Sequence, residues 1–254
     1  MSKQELDFLV KENIHISPMY SLIKISPAKG KLPEIHPGQF VQVEIPNSKN
    51  TFLRRPISVN FVDEDANELW LLVRKAGEGT SHLISTQPNS VINLILPLGN
   101  GFTVNRSGHG LLIGGGVGVA PLLQLGKAMK ANGVDFSFLL GARSAADLLE
   151  LEHFKRYGTV HVATEDGSLG EKGFVTQHSA LNSDVDFIAC CGPQPMMKAV
   201  AKIAKDRNID CEVSLENTMA CGLGACLCCV EDTTDGNVCV CKEGPVFNIK
   251  KLKW

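Results

Sequence analysis

Cysteine is missing from the first 189 residues of this chain, and all nine cysteines lie between Cys190 and Cys241. A disulfide framework belongs to small secreted domains, and this pattern does not suggest one. An excess of charge is missing too. Lys and Arg number 25 against 27 Asp and Glu, a formal charge of −2, which offers no basic footprint for nucleic acid or anionic lipid. No apolar run is long enough to span a bilayer. The longest uncharged stretch, Gly110 to Gly126, has 17 residues and is broken by Gly114, Gly115, Gly116, Gly118 and Pro121, whereas a spanning helix needs about 20 apolar residues. The opening Met1-Ser2-Lys3-Gln4-Glu5 has no apolar signal core. Reduced thiols, no signal and no span lead us to expect a cytoplasmic protein. There is no internal repeat or low-complexity stretch. None of the seven histidines stands in a recognisable catalytic setting, so no general base is expected.

What is present is an ordinary globular composition, 44% hydrophobic and 20% charged over 254 residues, with room for one large or two medium domains. Its most specific stretch is Cys221-Gly222-Leu223-Gly224-Ala225-Cys226-Leu227-Cys228-Cys229, followed by Cys239 and Cys241. Cys221, Cys226, Cys229 and Cys241 give C-x4-C-x2-C-x11-C, and the first three match the plant-type spacing of a two-iron, two-sulfur (2Fe-2S) cluster. Gly222 and Gly224 let the backbone curl around a compact anion with its N–H groups turned inward. Cys239 competes with Cys241 for the fourth place. Zinc is the alternative occupant, although zinc sites commonly pair two Cys-x-x-Cys knuckles and only one C-x2-C is clear here. Cys228 is expected to point away.

Residues 9 to 99 read as all-β, with runs at Tyr20–Ser26, Gln39–Pro46, Pro56–Asp63, Glu68–Ala76 and Val91–Pro97. Turn residues such as Pro37-Gly38, Pro46-Asn47 and Asp63-Glu64-Asp65 separate them, which predicts a small barrel or sandwich. A short helix is expected at Gly79-Thr80-Ser81. From Gly110 onward strands alternate with helices. The expected order is strand Leu111–Ile113, helix Ala120–Asn132, strand Val134–Leu140, helix Ala145–Arg156 and strand Thr159–Thr164. A short segment near Val175–Leu181 follows, then strand Asp186–Cys190, helix Gln194–Asp206 and strand Cys211–Leu215. That alternation implies a parallel sheet covered by helices, with the cysteine-rich tail hanging off its last strand. Val91, Leu94, Leu96 and Phe102 read as core residues.

Four motifs could carry chemistry. Arg54-Arg55-Pro56-Ile57-Ser58 opens a strand, and an Arg fork suits phosphate oxygens; a solvated strand edge is the plainer reading. Leu72-Val73-Arg74 followed by Gly77-Glu78-Gly79-Thr80-Ser81 offers either an anion-binding helix start or a simple capped turn. Gly114-Gly115-Gly116-Val117-Gly118-Val119-Ala120-Pro121 lies between strand and helix, where Gly116 and Gly118 allow close approach of a pyrophosphate. Its last position departs from G-x-G-x-x-G at Pro121, which a first helical turn accepts. Cys191-Gly192-Pro193 sits at another strand C-terminus, where ligands of open α/β sheets bind.

These features in this order resemble the ferredoxin–NADP reductase superfamily. Arg55-Pro56-Ile57-Ser58, Ala163-Thr164-Glu165-Asp166-Gly167-Ser168, Cys191-Gly192-Pro193, Ser214-Leu215-Glu216 through Cys226, and Cys241-Lys242-Glu243-Gly244-Pro245-Val246-Phe247 narrow it. They are similar to the electron-transfer subunits of type 1B dihydroorotate dehydrogenases over nearly the whole chain. The resemblance implies FAD on the barrel and NAD on the α/β domain, and it supports Cys241 as fourth ligand. It implies that Arg55 holds the flavin phosphates, that Ser58 lies near the isoalloxazine within the Arg55-Pro56-Ile57-Ser58 strand, and that Leu72, Val73, Arg74, Gly79 and Thr80 complete the FAD contacts. Ile57 stands where many superfamily members have Tyr.

The implied architecture is an N-terminal antiparallel β-barrel for FAD over residues 1–103, an α/β parallel-sheet domain for NAD over 104–215, and a small 2Fe-2S segment over 216–254. Nicotinamide takes electrons in pairs and a cluster takes them singly, so a flavin must lie between them. The implied route runs from a partner's FMN through the cluster and FAD to NAD+, in pyrimidine biosynthesis. The chain is too short to add a (β/α)8 barrel of about 250 residues. Dihydroorotate oxidation is therefore expected in a separate FMN-containing catalytic subunit, in a heterotetramer of two plus two chains. Arg143-Ser144 could receive a 2′-phosphate while Glu165-Asp166 would repel one; the family implies NAD. The alternatives are a subunit of an NAD(P)H-dependent ferredoxin or sulfide reductase, and a zinc-binding scaffold without enzymatic activity.

Overall fold

A computed structural model describes residues 2–45, 48 and 50–254. The expected turn at Pro46-Asn47 lies outside the described residues. Packing divides the chain into two compact units, one of Met1–Gly101, Asn217–Glu231 and Asn237–Pro245, the other of Phe102–Glu216, Asp232–Gly236 and Val246–Trp254.

In the first unit, seven strands among the described residues form one antiparallel sheet, curved into a half-barrel. They are β1 (Gln4–Ser17), β2 (Tyr20–Pro27), β3 (Phe40–Val43), β4 (Arg55–Ser58), β5 (Phe61–Asp63), β6 (Glu68–Arg74) and β7 (Val91–Leu98), in the order β4-β3-β7-β1-β2-β6-β5. One helix, α1 (Glu78–Ile84), follows β6. Alternation sorts the side chains: Phe8, Val10, Ile23, Ile25, Val41, Val43, Leu69, Leu71, Val73, Leu94 and Leu96 meet in one buried cluster. Each such burial contributes about 1.5–3 kcal/mol.

Two expectations change here. Strand β1 was not expected, because Asp7, Lys11 and Glu12 on its outer side mask the inward Phe8 and Val10. The run Pro56–Asp63 is two strands, since Val59 bonds back to Gln39 while Asn60 turns to Trp70. Leu94, Leu96 and Phe102 are core, but Val91 is 54% exposed, opposite Leu9 on β1.

In the second unit, β8 (His109–Gly115), β9 (Asp135–Ala142), β10 (Thr159–Thr164), β11 (Glu171–Lys172), β12 (Phe187–Cys191) and β13 (Asp210–Ser214) run parallel. The helices are α2 (Ala120–Ala131), α3 (Leu151–Lys155) and α4 (Gln194–Asp206). Leu122, Leu123, Leu125 and Met129 of α2 are buried, as the spacing predicts. The helix expected over Ala145–Arg156 is broken. A 3-10 turn covers Ala145–Asp147, and Glu150 takes a left-handed φ of 55° before α3 begins. The Ala145 N–H donates to Ser168 Oγ at 2.7 Å, which holds this loop to the one after β10.

The C-terminal region adds β14 (Val230–Thr233), β15 (Gly236–Cys239), α5 (Val240–Glu243) and β16 (Val246–Asn248). β14 and β15 pair with each other. The tail does not simply hang from the last parallel strand, because β16 pairs antiparallel with β13 through Glu212↔Asn248, Val213↔Phe247 and Ser214↔Val246. The larger sheet of the second unit thus reads β11-β10-β9-β8-β12-β13-β16 among the described residues.

Candidate functional site

Glycine geometry shapes the thiol loop. Gly222 and Gly224 have φ of 69° and 83°, conformations costly for other residues. These turns direct N–H groups at sulfur: Leu223 N–H donates to Cys221 Sγ at 3.3 Å, and Gly224 N–H to Cys241 Sγ at 3.1 Å. The Cys241 N–H reaches Cys229 Sγ at 3.4 Å. Burial pushes the Cys221 thiol up, but the N–H groups of Leu223, Cys226 and Ala225 and the Cys226 thiol outweigh it and bring it down to about 6. Cys241 is pushed up to about 12, by burial first and then by its hydrogen bond to Cys229 and that neighbour's charge.

Among the described residues, no three or more His, Cys, Asp or Glu side chains converge on a point suited to one ion. The thiols pair instead: Cys221 with Cys226, and Cys229 with Cys241. Two pairs lined by N–H donors fit a two-iron cluster, in which four thiolates are shared between two irons, better than one tetrahedral zinc. Cys228 is exposed. Cys239 lies near the quartet, its thiol raised by burial and then by the charges of Cys229, Cys221 and Cys226, but it donates to the Gly224 carbonyl at 3.9 Å.

In the half-barrel, the Arg54-Arg55 pair divides. Arg54 is structural: its guanidinium meets Asn93 Oδ1 at 2.7 Å, the Asn93 carbonyl at 3.1 Å and Glu5 at 2.8 Å. Arg55 bonds the Leu53 carbonyl at 2.8 Å and lies against the first turn of α1. A Cβ on Gly79 would stand 2.6 Å from Arg55 Nε, so this glycine is what lets the guanidinium rest there. The donor fork and the glycine beside it suit a phosphate. Thr80 Oγ1 accepts from the Ala76 and Gly77 N–H groups at 2.8 and 3.1 Å, as a cap of the turn. Ile57 packs against the barrel core, whereas Pro56 and Ser58 stand on the other side of β4, opposite Gln42 and Phe40. Leu72 and Val73 are buried at 2% and 0% exposure, while Arg74 is exposed.

In the parallel sheet, β9 and β12 flank β8 on either side. That is a topological switch point, and the crevice outside the strand ends there is where such sheets bind nucleotides. Gly114-Gly115 ends β8 and Cys190-Cys191 ends β12. Gly116, at φ 56°, turns the chain into a 3-10 turn that leads to α2 with Pro121 in its first turn. A Cβ on Gly118 would fall 2.5 Å from Gly192 Cα and 2.6 Å from the Cys191 carbonyl. The two loops therefore pack backbone to backbone at Gly118 and Gly192, while Gly115 and Gly192 leave room for the Met196 side chain, whose Sδ would lie 2.6 Å from a Cβ on Gly115. The Cys191 thiol is 1% exposed and raised well above the ordinary thiol range, by burial first and then by the Glu216 charge against a Ser214 hydrogen bond. It is a packing group, not a nucleophile.

Sequence reasoning missed two features. Arg106 pairs with Asp210 at 2.5 Å and Glu212 at 2.9 Å, fastening the segment before β8 to β13. Gln42, at 0% exposure, touches the thiol loop; its signal was a lone amide in the apolar run Phe40-Val41-Gln42-Val43.

Comparison with known proteins matches two family models: the iron-sulfur cluster binding domain of dihydroorotate dehydrogenase B over residues 216–253 and the oxidoreductase NAD-binding domain over 112–202. The dihydroorotate dehydrogenase B (NAD(+)) electron transfer subunit of Clostridium perfringens is 38% identical over 242 residues, 94% of each chain. That of Caldanaerobacter subterraneus is 41% identical over 224 residues, 86% of this chain and 87% of the relative. Among solved structures, one described under NADH-dependent reduced ferredoxin-NADP oxidoreductase superposes with TM-score 0.87 at 27% identity, covering 97% of this chain and 90% of that one. The FAD/NAD binding domain of a Vibrio cholerae nitric oxide dioxygenase shares the fold, with TM-score 0.69 at 21% identity over 82% of this chain and 98% of that one. The chain belongs to the family of electron transfer subunits of dihydroorotate dehydrogenase B.

Proposed function

We propose that this chain passes electrons from the FMN of a dihydroorotate-oxidising partner to NAD+, in pyrimidine biosynthesis, by holding a 2Fe-2S cluster, FAD and NAD. The observation that carries the reading is the thiol loop, where two cysteine pairs face inward N–H groups. A cluster moves single electrons, nicotinamide moves hydride, and a flavin converts one into the other. The chain's own residues bind and orient. Cys221, Cys226, Cys229 and Cys241 hold the cluster, and the loop's N–H groups balance its charge. Arg55, with Gly79 and Thr80 beside it, holds the flavin phosphates, and Pro56, Ile57, Ser58, Leu72, Val73 and Arg74 complete that site. Gly116, Gly118, Cys191, Gly192 and Pro193 frame the dinucleotide. No residue is assigned proton transfer.

The three functional regions are residues 1–103 for the flavin, 104–215 for the nucleotide and 216–254 for the cluster. NAD is preferred over NADP because Glu165 and Asp166 follow β10 directly beside Arg143: the Asp166 N–H donates to the Arg143 carbonyl at 3.1 Å. Asp166 is held below the usual carboxylate range, chiefly by its bonds to Ser168, and so stays charged against a 2′-phosphate. Leu223 and Leu227 beside Cys226 are 42% and 64% exposed and form the docking face for the catalytic subunit, in an assembly of two plus two chains. Nine free thiols suit the reducing cytoplasm. No helix of the described residues is long and apolar enough to cross a membrane.

The likeness to the NADH-dependent ferredoxin-NADP oxidoreductase structure favours a second reading, as a subunit of a ferredoxin-linked reductase. Anaerobic copurification separates the two. The first reading expects an FMN-containing chain, iron and FAD in the assembly, and dihydroorotate-driven reduction of NAD+. A colourless zinc protein, or a large iron–sulfur flavoprotein as partner, would overturn it.

A further inference from the structure

Gln42 is out of place by every local rule. Its neighbours Val41 and Val43 enter the barrel core at 0% exposure. Side chains alternate along a strand, so Gln42 points to the opposite face, where a glutamine would ordinarily be solvated. It is instead 0% exposed. The cover is the thiol loop: a Cβ on Gly222 would meet Gln42 Cγ at 2.6 Å and Nε2 at 2.7 Å. Gln42 Nε2 reaches the Ala220 carbonyl, next to Cys221, at a long 3.5 Å. Its Oε1 is buried with no hydrogen-bond partner among the described residues. A carboxamide offers two donors and two acceptor sites, and buried polar groups are normally paired. Val, Leu or Met would fill the same volume without an orphan oxygen. The amide also stands opposite Pro56 of the Arg55-Pro56-Ile57-Ser58 strand, so one side chain joins the strand pair assigned to the flavin with the loop assigned to the cluster.

We propose that Gln42 is a positioning residue for the cluster: its buried carboxamide seats the loop at Ala220 and Gly222 and sets the polarity on the barrel side of the thiol cage. This rests on the function proposed above. Hydrogen bonding and solvent exposure set cluster potentials, so an amide fixed under the loop acts on the cluster without being a ligand. Gly222 serves the same contact from the loop side. Its φ of 69° and its missing Cβ together allow the loop to settle on the amide.

The test is Gln42→Met in the protein purified anaerobically with its cofactors, since Met keeps the length and loses the hydrogen-bonding groups. Iron, FAD, melting temperature, the electron paramagnetic resonance spectrum of the reduced cluster and its midpoint potential are measured. The expected result is FAD content and melting temperature as in the parent, with a changed spectrum and a midpoint moved to more negative values. Loss of iron alone, with FAD and melting temperature kept, also supports seating of the loop. A parent-like spectrum and potential overturn the proposal. So does loss of FAD together with a fall in melting temperature, which would make the amide a barrel-packing group. Gly222→Ala checks the contact from its other side: the added Cβ is expected to lower iron content with FAD retained, and unchanged iron content and spectrum would count against the inference. If the parent protein itself carries no iron, it is the proposed function that fails.

Discussion

Cysteine and glycine meet at two places in this molecule, and they do opposite things there. At the ends of β8 and β12, glycine removes side chains so that two backbones can touch, and Cys190 and Cys191 are sealed behind them. Burial pushes both thiols well above their ordinary range. In the 221–229 loop, glycine turns N–H groups toward sulfur, and Cys221 falls to about 6, whereas Cys241, which also accepts such a bond, is held up at about 12 by burial and its bond to Cys229. The residue type does not decide the chemistry. N–H donors stabilise a thiolate, and apolar burial suppresses it.

Cys226→Ser is the most severe way to test that contrast. It is expected to abolish the cluster and dihydroorotate-driven NAD+ reduction while leaving NADH-driven reduction of an artificial dye, which needs only the flavin. Iron analysis and the two assays report it, and retained iron would reassign the ligands. Gly118→Ala probes the other place. Its Cβ meets backbone at 2.5 Å, a strain of about 1–3 kcal/mol. The expected result is NADH affinity weakened on the order of tenfold to a hundredfold by titration, with iron content unchanged.

A smaller effect concerns pH. Burial and the hydrogen bond to Cys229 push the Cys241 thiol up to about 12, whereas a ligand must be a thiolate, so loading iron releases a proton. Affinity then rises with pH, by at most about tenfold per unit for each proton released. Reconstitution of iron-free protein is expected to be slower and less complete at pH 6 than at pH 8. A flat profile between those values would show that the quartet is already ionised. Smallest of all is Cys211→Ala in β13, another buried thiol, pushed up to about 12. Iron and flavin contents stay unchanged and stability drops by about 1–2 kcal/mol, measured by denaturant unfolding. Loss of iron here would erase the distinction between the two sets of thiols.

Much of this was legible in advance because it is local. Strand Thr159–Thr164 and helix Gln194–Asp206 lie where alternation and helical spacing put them. The broken helix at Ala145–Arg156 was hidden, since the left-handed φ of 55° at Glu150 that interrupts it falls on a residue type with no preference for that conformation. Strand β1 was hidden because charged residues on its outer side dilute the apolar signal. Arg54 and Arg55 looked alike; only Glu5 and Asn93, brought in by β1 and β7, made the first a structural anchor and left the second beside α1.

The sequence alone determined the thiol spacing, the glycines that shape the loop and the change from strands to alternating strands and helices after residue 110, because these depend on residues within a few positions of one another. The tertiary structure decided which cysteines pair, which arginine stays available, that the tail returns to β13, and that Gln42 lies beneath the loop. Each of those joins residues far apart in the chain, through strand pairing and burial that no local pattern encodes.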